Sequence, residues 1–183
     1  MPQSTTADKQ KIKMRALKLV LASFFILFAI VTAIGLLFPS TVKVSRAVNI
    51  AAPYDSVYKY LNDAKYWKFW MDGADTATIS FLSAKTEGVG TAVKIGSGGE
   101  VSFIKSTADS IYTDWKGGES AVQHSVFILM KDGTNNVTIT QWSFEQHLNW
   151  YPWERFASMA NDKILGPIME QSLDKLKRVL EKR

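Results

Sequence analysis

Cysteine is missing from this chain of 183 residues, and histidine is scarce, with two residues. The lack of cysteine excludes thiolate metal sites, Cys-x-x-Cys redox chemistry and a cysteine nucleophile. It leaves the compartment open, because a chain without cysteine folds equally well in reducing and oxidising surroundings. His124 and His147 are not joined by an HxH or HxxxH spacing that brings a carboxylate with it, so we expect no metal and no cofactor.

Motifs for catalysis and nucleotide binding are also missing. No Gly-x-Ser-x-Gly elbow is present, and the glycines around Gly88 and Gly96 match neither GxGxxG nor the P-loop pattern. The carboxylates fall near turns or on outward-facing positions of the predicted strands. The sequence thus favours binding over catalysis, and an enzymatic role stays open; if catalysis occurs, His124 is the residue that the strand pattern favours.

Positive charge is concentrated at one end of the chain. The formal net charge is +5, and residues 1–18 contain five basic residues against one acidic residue. The rest of the chain is therefore nearly neutral. Nucleic-acid binding needs a basic stripe on the folded surface, so we expect no nucleic acid as a partner.

A long apolar run follows this basic arm. Residues 19–38 contain no charged side chain, and as a helix they reach about 30 Å, the thickness of a bilayer core. Apolar residues surround the helix, which disfavours an amphipathic helix lying on the surface. A buried core helix is the alternative, but a domain this small would struggle to cover it on all sides. The sequence predicts a transmembrane helix at 19–38.

The flanks of this helix predict an uncleaved signal anchor and its orientation. A cleaved signal peptide has a shorter apolar region and a small-x-small exit, whereas this run leaves through Pro39 with no such site. The positive-inside rule places the basic arm, residues 1–18, in the cytoplasm. We expect a single-pass protein of the bacterial inner membrane, with the C-terminal domain, residues 42–183, in the periplasm.

That domain has the pattern of one α+β unit. Residues 42–50 alternate as a half-buried strand, Pro53 suits the first turn of a helix, and a second short helix spans 64–70. Glycine and Asp/Asn turns then divide the chain into six β-rich runs, whose close spacing favours an antiparallel meander: 77–83, 91–95, 100–107, 110–116, 119–131 and 137–146. Residues 153–183 are predicted to be helical, with an interruption or a kink at Gly166-Pro167.

Several segments resemble START-like (SRPBCC) proteins, closest to the polyketide cyclase/dehydrase and lipid-transport group. The resemblance covers roughly residues 42–181 and is carried by the segments Val48–Asp63, Trp67-Lys-Phe-Trp70, Gly88-Val-Gly-Thr91, Asp132-Gly-Thr134, Val137–Trp142 and Gly166–Glu181. It implies a helix-grip fold, in which a curved antiparallel sheet wraps a long C-terminal helix, here preceded by one transmembrane helix. It also implies a cavity between the sheet and that helix.

Aromatic residues are the best candidates for a site, because Trp and Tyr favour places where apolar surface meets polar groups. We expect the cavity to be lined by residues from the short helices, the strands and the last helix: Trp67, Trp70, Tyr112, His124, Phe127, Gln141, Trp142, Phe144, Phe156 and Met159. One or two polar groups among them, such as His124, Tyr112 or Gln141, would orient a ligand. Trp150, Tyr151 and Trp153 precede or begin the last helix and are expected to form a gate or a membrane-touching edge.

Two hypotheses for the function follow. The first is a membrane-anchored START-like domain that binds a small hydrophobic molecule, of lipid or isoprenoid class, between the sheet and the C-terminal helix. The second is a non-enzymatic accessory or assembly subunit of a larger membrane protein complex, in which exposed Trp and Tyr side chains serve as interface anchors.

Overall fold

The computed structural model describes residues 6–74, 76–96, 99–117, 122–133, 136–158 and 160–182. The chain divides into two compact units. One combines Met1–Ser40 with Leu148–Ser158, and the other combines Thr41–His147 with Met159–Arg183. We call the first the helical unit and the second the sheet domain.

The helical unit is built on helix α1, Thr6–Leu36. Its stretch Lys13–Leu36 is long and apolar enough to cross a membrane, and its side chains are almost all exposed. The last turn tightens before Pro39, with the amides of Leu37 and Phe38 donating to the carbonyls of Ile34 and Gly35 at 3.1 Å. The helix therefore begins inside the basic arm and ends two residues before the predicted limit. A second helix of this unit, α4, spans Pro152–Ser158.

The sheet domain contains one antiparallel sheet of seven strands in the order β1-β7-β6-β5-β4-β3-β2. The strands are β1 Thr41–Ile50, β2 Ile79–Phe81, β3 Ala92–Ile95, β4 Gly99–Ser106, β5 Ser110–Gly117, β6 Gln123–Asp132 and β7 Val137–His147. Neighbours in sequence pair directly from β2 to β7, which is the predicted meander. β1 then joins the far edge by pairing with β7 along its whole length, from Thr41 opposite His147 to Ile50 opposite Thr138.

One face of the sheet is covered by the helices of the domain, and we call it the inner face. The strand register places alternate buried residues on it, such as Phe127 opposite Trp142 and Ile111 opposite Phe127. The helices are α2, Tyr54–Asn62, a 3-10 turn at Ala64–Tyr66, α3, Trp67–Trp70, and α5, Asn161–Glu181. The fold is the predicted helix-grip arrangement.

Of the two predicted alternatives at Gly166-Pro167, an interruption is wrong, because Pro167 lies inside α5. The helical stretch is divided earlier, between Ser158 and Asn161. A proline costs the helix one amide donor, but Met169 and Leu173 are buried in the core on the next turns and hold the helix in place. Gly166 has a packing role instead. A Cβ atom there would lie 3.0 Å from Cζ of Arg46 on β1.

Candidate ligand-binding cavity

A cluster of aromatic side chains fills much of the space between the sheet and the helices of the sheet domain. Trp67 stacks on Trp115 with ring centroids 5.8 Å apart and planes 7° from parallel. Trp142 stacks on Phe127 at 5.0 Å, and Trp115 joins the two pairs through Trp142 at 6.1 Å. Because close-packed aromatic rings leave little free volume, the cluster limits the size of any ligand.

Hydrogen bonds fix the orientation of the four indoles in the cluster, because a buried N–H needs an acceptor. Each N–H has a protein acceptor: Trp67 donates to the Leu61 carbonyl (3.0 Å), Trp70 to the Tyr60 carbonyl (3.1 Å), Trp115 to Thr113 Oγ1 (2.9 Å) and Trp142 to Ser125 Oγ (2.8 Å). These rings are therefore held in place before any ligand arrives.

An apolar cavity of about 280 Å³ remains beside the cluster, between α5 and the sheet. Its wall is formed by Met71, Asp72, Ile95, Gly99, Trp115, Gln123, Trp142, Phe144, Leu165, Ile168 and Met169. Ile168 is 43% exposed and Gln123 is half-buried, so the cavity reaches solvent beside them. A cavity of about 150 Å³ admits benzene and the pockets that bind drug-sized ligands measure about 300–1,000 Å³, so this one suits a ligand between those sizes.

Two polar side chains reach the wall of the cavity. The Asp72 carboxylate pairs with Lys175 Nζ at 2.8 Å, and its amide donates to Ser172 Oγ at 2.9 Å. The Gln123 amide nitrogen makes a long contact of 3.4 Å with Gln146 Oε1. An amide with so weak a partner can turn to a ligand at little cost, which makes Gln123 the better candidate for orienting one.

An ion-paired arginine holds the α5 wall against β1. Arg46 lies opposite Trp142 in the strand register, and its guanidinium contacts Asp162 at 3.0 Å and Glu170 at 2.5 Å. These carboxylates are one helical turn either side of Gly166, so the guanidinium lies over the glycine. Hydrogen bonds with Glu170 and then Asp162 raise the pKa of Arg46 above its ordinary value, so it stays charged throughout the physiological range.

Five of the predicted cavity residues lie on the inner side of the sheet domain. Trp142 and Phe144 form part of the cavity wall. Trp67, Trp70 and Phe127 are fully buried in the aromatic cluster behind it. They shape the space by packing.

Three predicted residues lie on the outer face of the sheet, so their expected inward orientation is wrong. His124 has a side chain 59% exposed and pairs with Asp114 at 2.7 Å. Tyr112 is 39% exposed, and Gln141 donates to Ser45 Oγ at 2.8 Å. The residues that face inward are their strand neighbours, because side chains alternate between the two faces. A ligand in the cavity is out of reach of all three.

The remaining predicted residues belong to the helical unit or lie outside the described residues. Phe156 is on α4, where its ring packs against Phe38 at 5.6 Å. The sequence predicts it in the cavity because residues 153–183 are predicted as the last helix, whereas α4 is a separate helix. Met159 lies outside the described residues. Trp150, Tyr151 and Trp153 are part of the helical unit and stack in series, with centroids 4.7 and 4.9 Å apart.

Most of the cavity wall was not predicted from the sequence. Trp115 had a usable signal, since it continues the inward alternation of Ile111 and Thr113 on β5. Leu165 and Met169 lie one turn apart on α5 and had the same kind of signal in the helical period. Gln123 and Asp72 had none, because nothing in a sequence shows which polar residues border a cavity.

A second depression, of about 750 Å³, lies between α2 and the β4–β5 turn. Charged side chains line it, including Asp55, Asp109 and Lys131. Its two tyrosines are already engaged, because Tyr54 donates to the Ala108 carbonyl and Tyr58 to the Thr107 carbonyl. It has the character of a solvated surface groove. Elsewhere among the described residues, no three His, Asp or Glu side chains gather closely enough to hold a metal ion.

Comparisons with known proteins agree with this architecture. The chain belongs to the family "Polyketide cyclase / dehydrase and lipid transport", whose model matches residues 41–181. The match covers the strands and helices that enclose the cavity, and the fold of this family suggests a ligand-binding domain. A search of curated protein sequences finds no significant match.

Solved structures share the fold at low sequence identity. A protein from Nitrosospira multiformis has a TM-score of 0.62 at 12% identity, covering 76% of this chain and 96% of that one. A truncated norcoclaurine synthase from Thalictrum flavum has a TM-score of 0.58 at 16% identity, covering 78% and 95%. A hypothetical protein from Helicobacter pylori has a TM-score of 0.57 at 14% identity, covering 76% and 88%.

Proposed function

We propose that the protein is a membrane-anchored binding domain that holds one small hydrophobic molecule between α5 and the sheet. The observation that carries this proposal is the apolar cavity of about 280 Å³ whose wall includes Trp115, Trp142 and Phe144. Burial of apolar surface drives binding, and the Gln123 amide at the rim orients the ligand.

The volume of the cavity supports a ligand that is smaller than a diacyl membrane lipid. The two chains of a diacyl lipid exceed about 280 Å³, whereas a short isoprenoid or a molecule of one or two aromatic rings fits. The fold also accepts such molecules elsewhere. A structural neighbour at 16% identity, norcoclaurine synthase from Thalictrum flavum, is crystallised in complex with dopamine and hydroxybenzaldehyde.

The membrane anchor in this proposal is α1. The length, apolar composition and exposure of Lys13–Leu36 support a span, and the basic residues before it support a cytoplasmic N-terminus with the sheet domain on the periplasmic side of a bacterial inner membrane. Tethering the cavity beside the bilayer raises the effective concentration of a membrane-partitioned ligand. A C-terminal alkaline phosphatase fusion should be active and a C-terminal green fluorescent protein fusion dark; the opposite pattern rejects this topology.

Binding is tested on the full chain in lipid nanodiscs. Small molecules retained by the purified protein are extracted with organic solvent and identified by mass spectrometry. Geraniol and naphthol are then added separately as probes. Because Trp115 and Trp142 line the cavity, a bound probe should change the tryptophan fluorescence in a saturable way.

Two substitutions on α5 form a matched pair for this test. Ile168→Trp places a large ring at the cavity mouth, whereas Ile164→Trp makes the same change one turn earlier at a position that is 60% exposed and outside the cavity wall. We expect I168W to lose probe binding and I164W to keep it. Equal binding by both variants would contradict the proposed cavity site.

The second candidate is an accessory subunit of a membrane complex, favoured by the extent to which the protein's own rings fill its interior. It predicts no retained small molecule and no probe binding by the wild-type protein. Mild solubilisation with native lipid should then recover the chain with stable protein partners, and I168W should leave that recovery unchanged.

A further inference from the structure

The segment Leu148–Ser158 is fastened to the C-terminal end of α1. The Leu148 amide donates to the Ser40 carbonyl at 2.8 Å. Pro152 lies so close to α1 that a Cβ atom on Gly35 would be 3.3 Å from the Pro152 Cα atom. A glycine at position 35 therefore suits the close approach of α4 to α1, because a Cβ atom there would make a tight contact that requires Pro152 to shift by a few tenths of an ångström.

Arg155 secures this arrangement. It is 7% exposed, and its Nη1 donates to the Phe38 carbonyl at 2.6 Å while its Nε donates to the Asn149 carbonyl at 2.8 Å. The guanidinium binds a carbonyl just beyond the C-terminal end of α1. Its positive charge interacts favourably with the negative end of the helix dipole there. Its planar donors reach two carbonyls at once, which a lysine ammonium does less well.

The other side of the segment presents aromatic rings. Trp150 is 53% and Trp153 59% exposed, with Tyr151 stacked between them. Both charged side chains of the segment are engaged within the helical unit, since Glu154 accepts from the Asn149 amide at 2.9 Å and Arg155 binds the two carbonyls. The C-terminal end of α1, which Pro152 approaches at Gly35, also exposes the apolar side chains of Leu36 and Leu37.

We propose that Trp150, Tyr151 and Trp153 form an interfacial anchor that inserts into the headgroup region of the bilayer where α1 leaves it, with Arg155 as the positioning residue. Trp and Tyr favour that depth because their rings are apolar and their N–H and O–H groups reach water and headgroups. The partner is the phospholipid surface. This inference rests on the membrane span of the proposed function and is independent of the ligand in the cavity.

The tryptophan distribution makes the anchor measurable. The residues before Trp67 contain no tryptophan, so α1 gives no tryptophan signal of its own. Trp67, Trp70 and Trp142 are buried in the sheet domain, and Trp115 is half-buried there. Quenching of tryptophan fluorescence by brominated lipid is therefore expected to come mainly from Trp150 and Trp153.

The experiment uses the full chain in vesicles of phosphatidylcholine brominated either near the headgroup end or near the methyl end of one acyl chain. We expect strong quenching by the shallow bromines and weak quenching by the deep ones. The double variant Trp150→Phe with Trp153→Phe should lose most of the shallow quenching. Trp70→Phe, the same change at a buried position, should leave it unchanged.

Arg155→Lys tests the positioning role. It keeps the charge but weakens the paired bonds to the two carbonyls, so the ratio of shallow to deep quenching should fall towards one while total tryptophan emission is retained. A ratio identical to that of the wild type would remove Arg155 from the proposal.

A carbonate wash separates the possible failures. A chain that washes off the vesicles overturns the membrane span and the anchor together. A chain that resists the wash but whose Trp150 and Trp153 are not quenched by lipid overturns the anchor alone, and indicates a protein partner for these rings. Either result leaves probe binding by the cavity to be judged separately in nanodiscs.

Discussion

The sheet domain and the helical unit use the same two residue types in different ways. In the sheet domain, four tryptophans lie in the interior with each N–H bound to a protein acceptor, and Arg46 pairs with two carboxylates near the surface. In the helical unit, Trp150 and Trp153 are more than half exposed, and a buried arginine, Arg155, pairs with neutral carbonyls.

This difference shows that the role of an aromatic residue in this chain depends on its burial and on its hydrogen-bond partners. Buried rings with fixed N–H groups stabilise a fold and set the shape of a cavity. Exposed rings on a segment fixed by an arginine contribute little to folding and are available to a partner. Four predictions test this contrast, beginning with the largest effect.

The largest expected effect is the loss of a buried ring. Trp67→Ala should lower the free energy of unfolding of the sheet domain by about 3–5 kcal/mol, because it leaves a cavity and removes the stack on Trp115. Trp153→Ala should change it by less than about 0.5 kcal/mol. Urea unfolding of the full chain in nanodiscs, followed by near-ultraviolet circular dichroism, measures both. Similar losses in the two variants would remove the contrast.

The two arginines should respond differently to salt. Arg155→Ala loses bonds from a charged donor, worth about 1.5–3 kcal/mol, so amide exchange in residues 148–158 should accelerate roughly ten- to hundredfold. Arg46→Ala should accelerate exchange in the first turns of α5. High salt screens ion pairs, so the Arg46 effect should shrink in about 1 M NaCl while the Arg155 effect persists. Hydrogen-exchange mass spectrometry at two salt concentrations gives the comparison.

A third prediction concerns the bond between Trp142 and Ser125. Trp142→Phe leaves the Ser125 hydroxyl buried without its indole donor, at a cost of about 1–3 kcal/mol in addition to the lost packing. Adding Ser125→Ala should recover part of that cost, because it removes the stranded polar group. Urea unfolding of the two single variants and the double variant measures this recovery. If the bond is unimportant, Ser125→Ala should recover none of the stability lost in Trp142→Phe. Trp153→Phe serves as the exposed control.

The smallest expected effect is a loss of stability in acid. It tests whether protonation of Asp109, a residue outside the aromatic cluster, destabilises the sheet domain. Hydrogen bonds from Thr107 and then Ser110 lower the pKa of Asp109 below its ordinary value of 3.8. A carboxylate whose pKa is lower in the folded state stabilises the fold at any pH above its pKa in the unfolded state. This contribution is lost as the pH falls through its pKa in the folded state. The difference in melting temperature between wild type and Asp109→Asn should be constant above about pH 5 and shrink below about pH 4.

The order of the strands was predictable from the sequence because turn residues separate runs of clear β character, as at Gly96 and Asp132-Gly133. It was harder to predict which side chains of β6 lie on the inner face of the sheet. Val126 and Ile128 are apolar like Phe127 and Leu129, so both faces of the strand carry apolar residues, and the pattern does not show on which face His124 lies.

The α5 helix shows a different limit of the sequence. Gly166 and Pro167 favour a break when considered alone. The helix continues because Met169 and Leu173 are buried against the core, and because the guanidinium of Arg46, 120 residues away, occupies the space beside Gly166. Such a contact between distant residues has no local signal. The same holds for the α4 segment, whose attachment to α1 joins Arg155 to Phe38.

The parallel stack of Trp67 and Trp115 also has an optical consequence. Two indole chromophores 5.8 Å apart, with planes 7° from parallel, are close enough for their electronic transitions to couple, and coupled transitions whose moments are not parallel within the two planes split into a pair of circular dichroism bands of opposite sign. Helix α1, which contains no tryptophan, contributes nothing to such a couplet. Such a couplet would be a spectroscopic signature of the interior of the sheet domain, by which the integrity of this domain can be followed in the full chain.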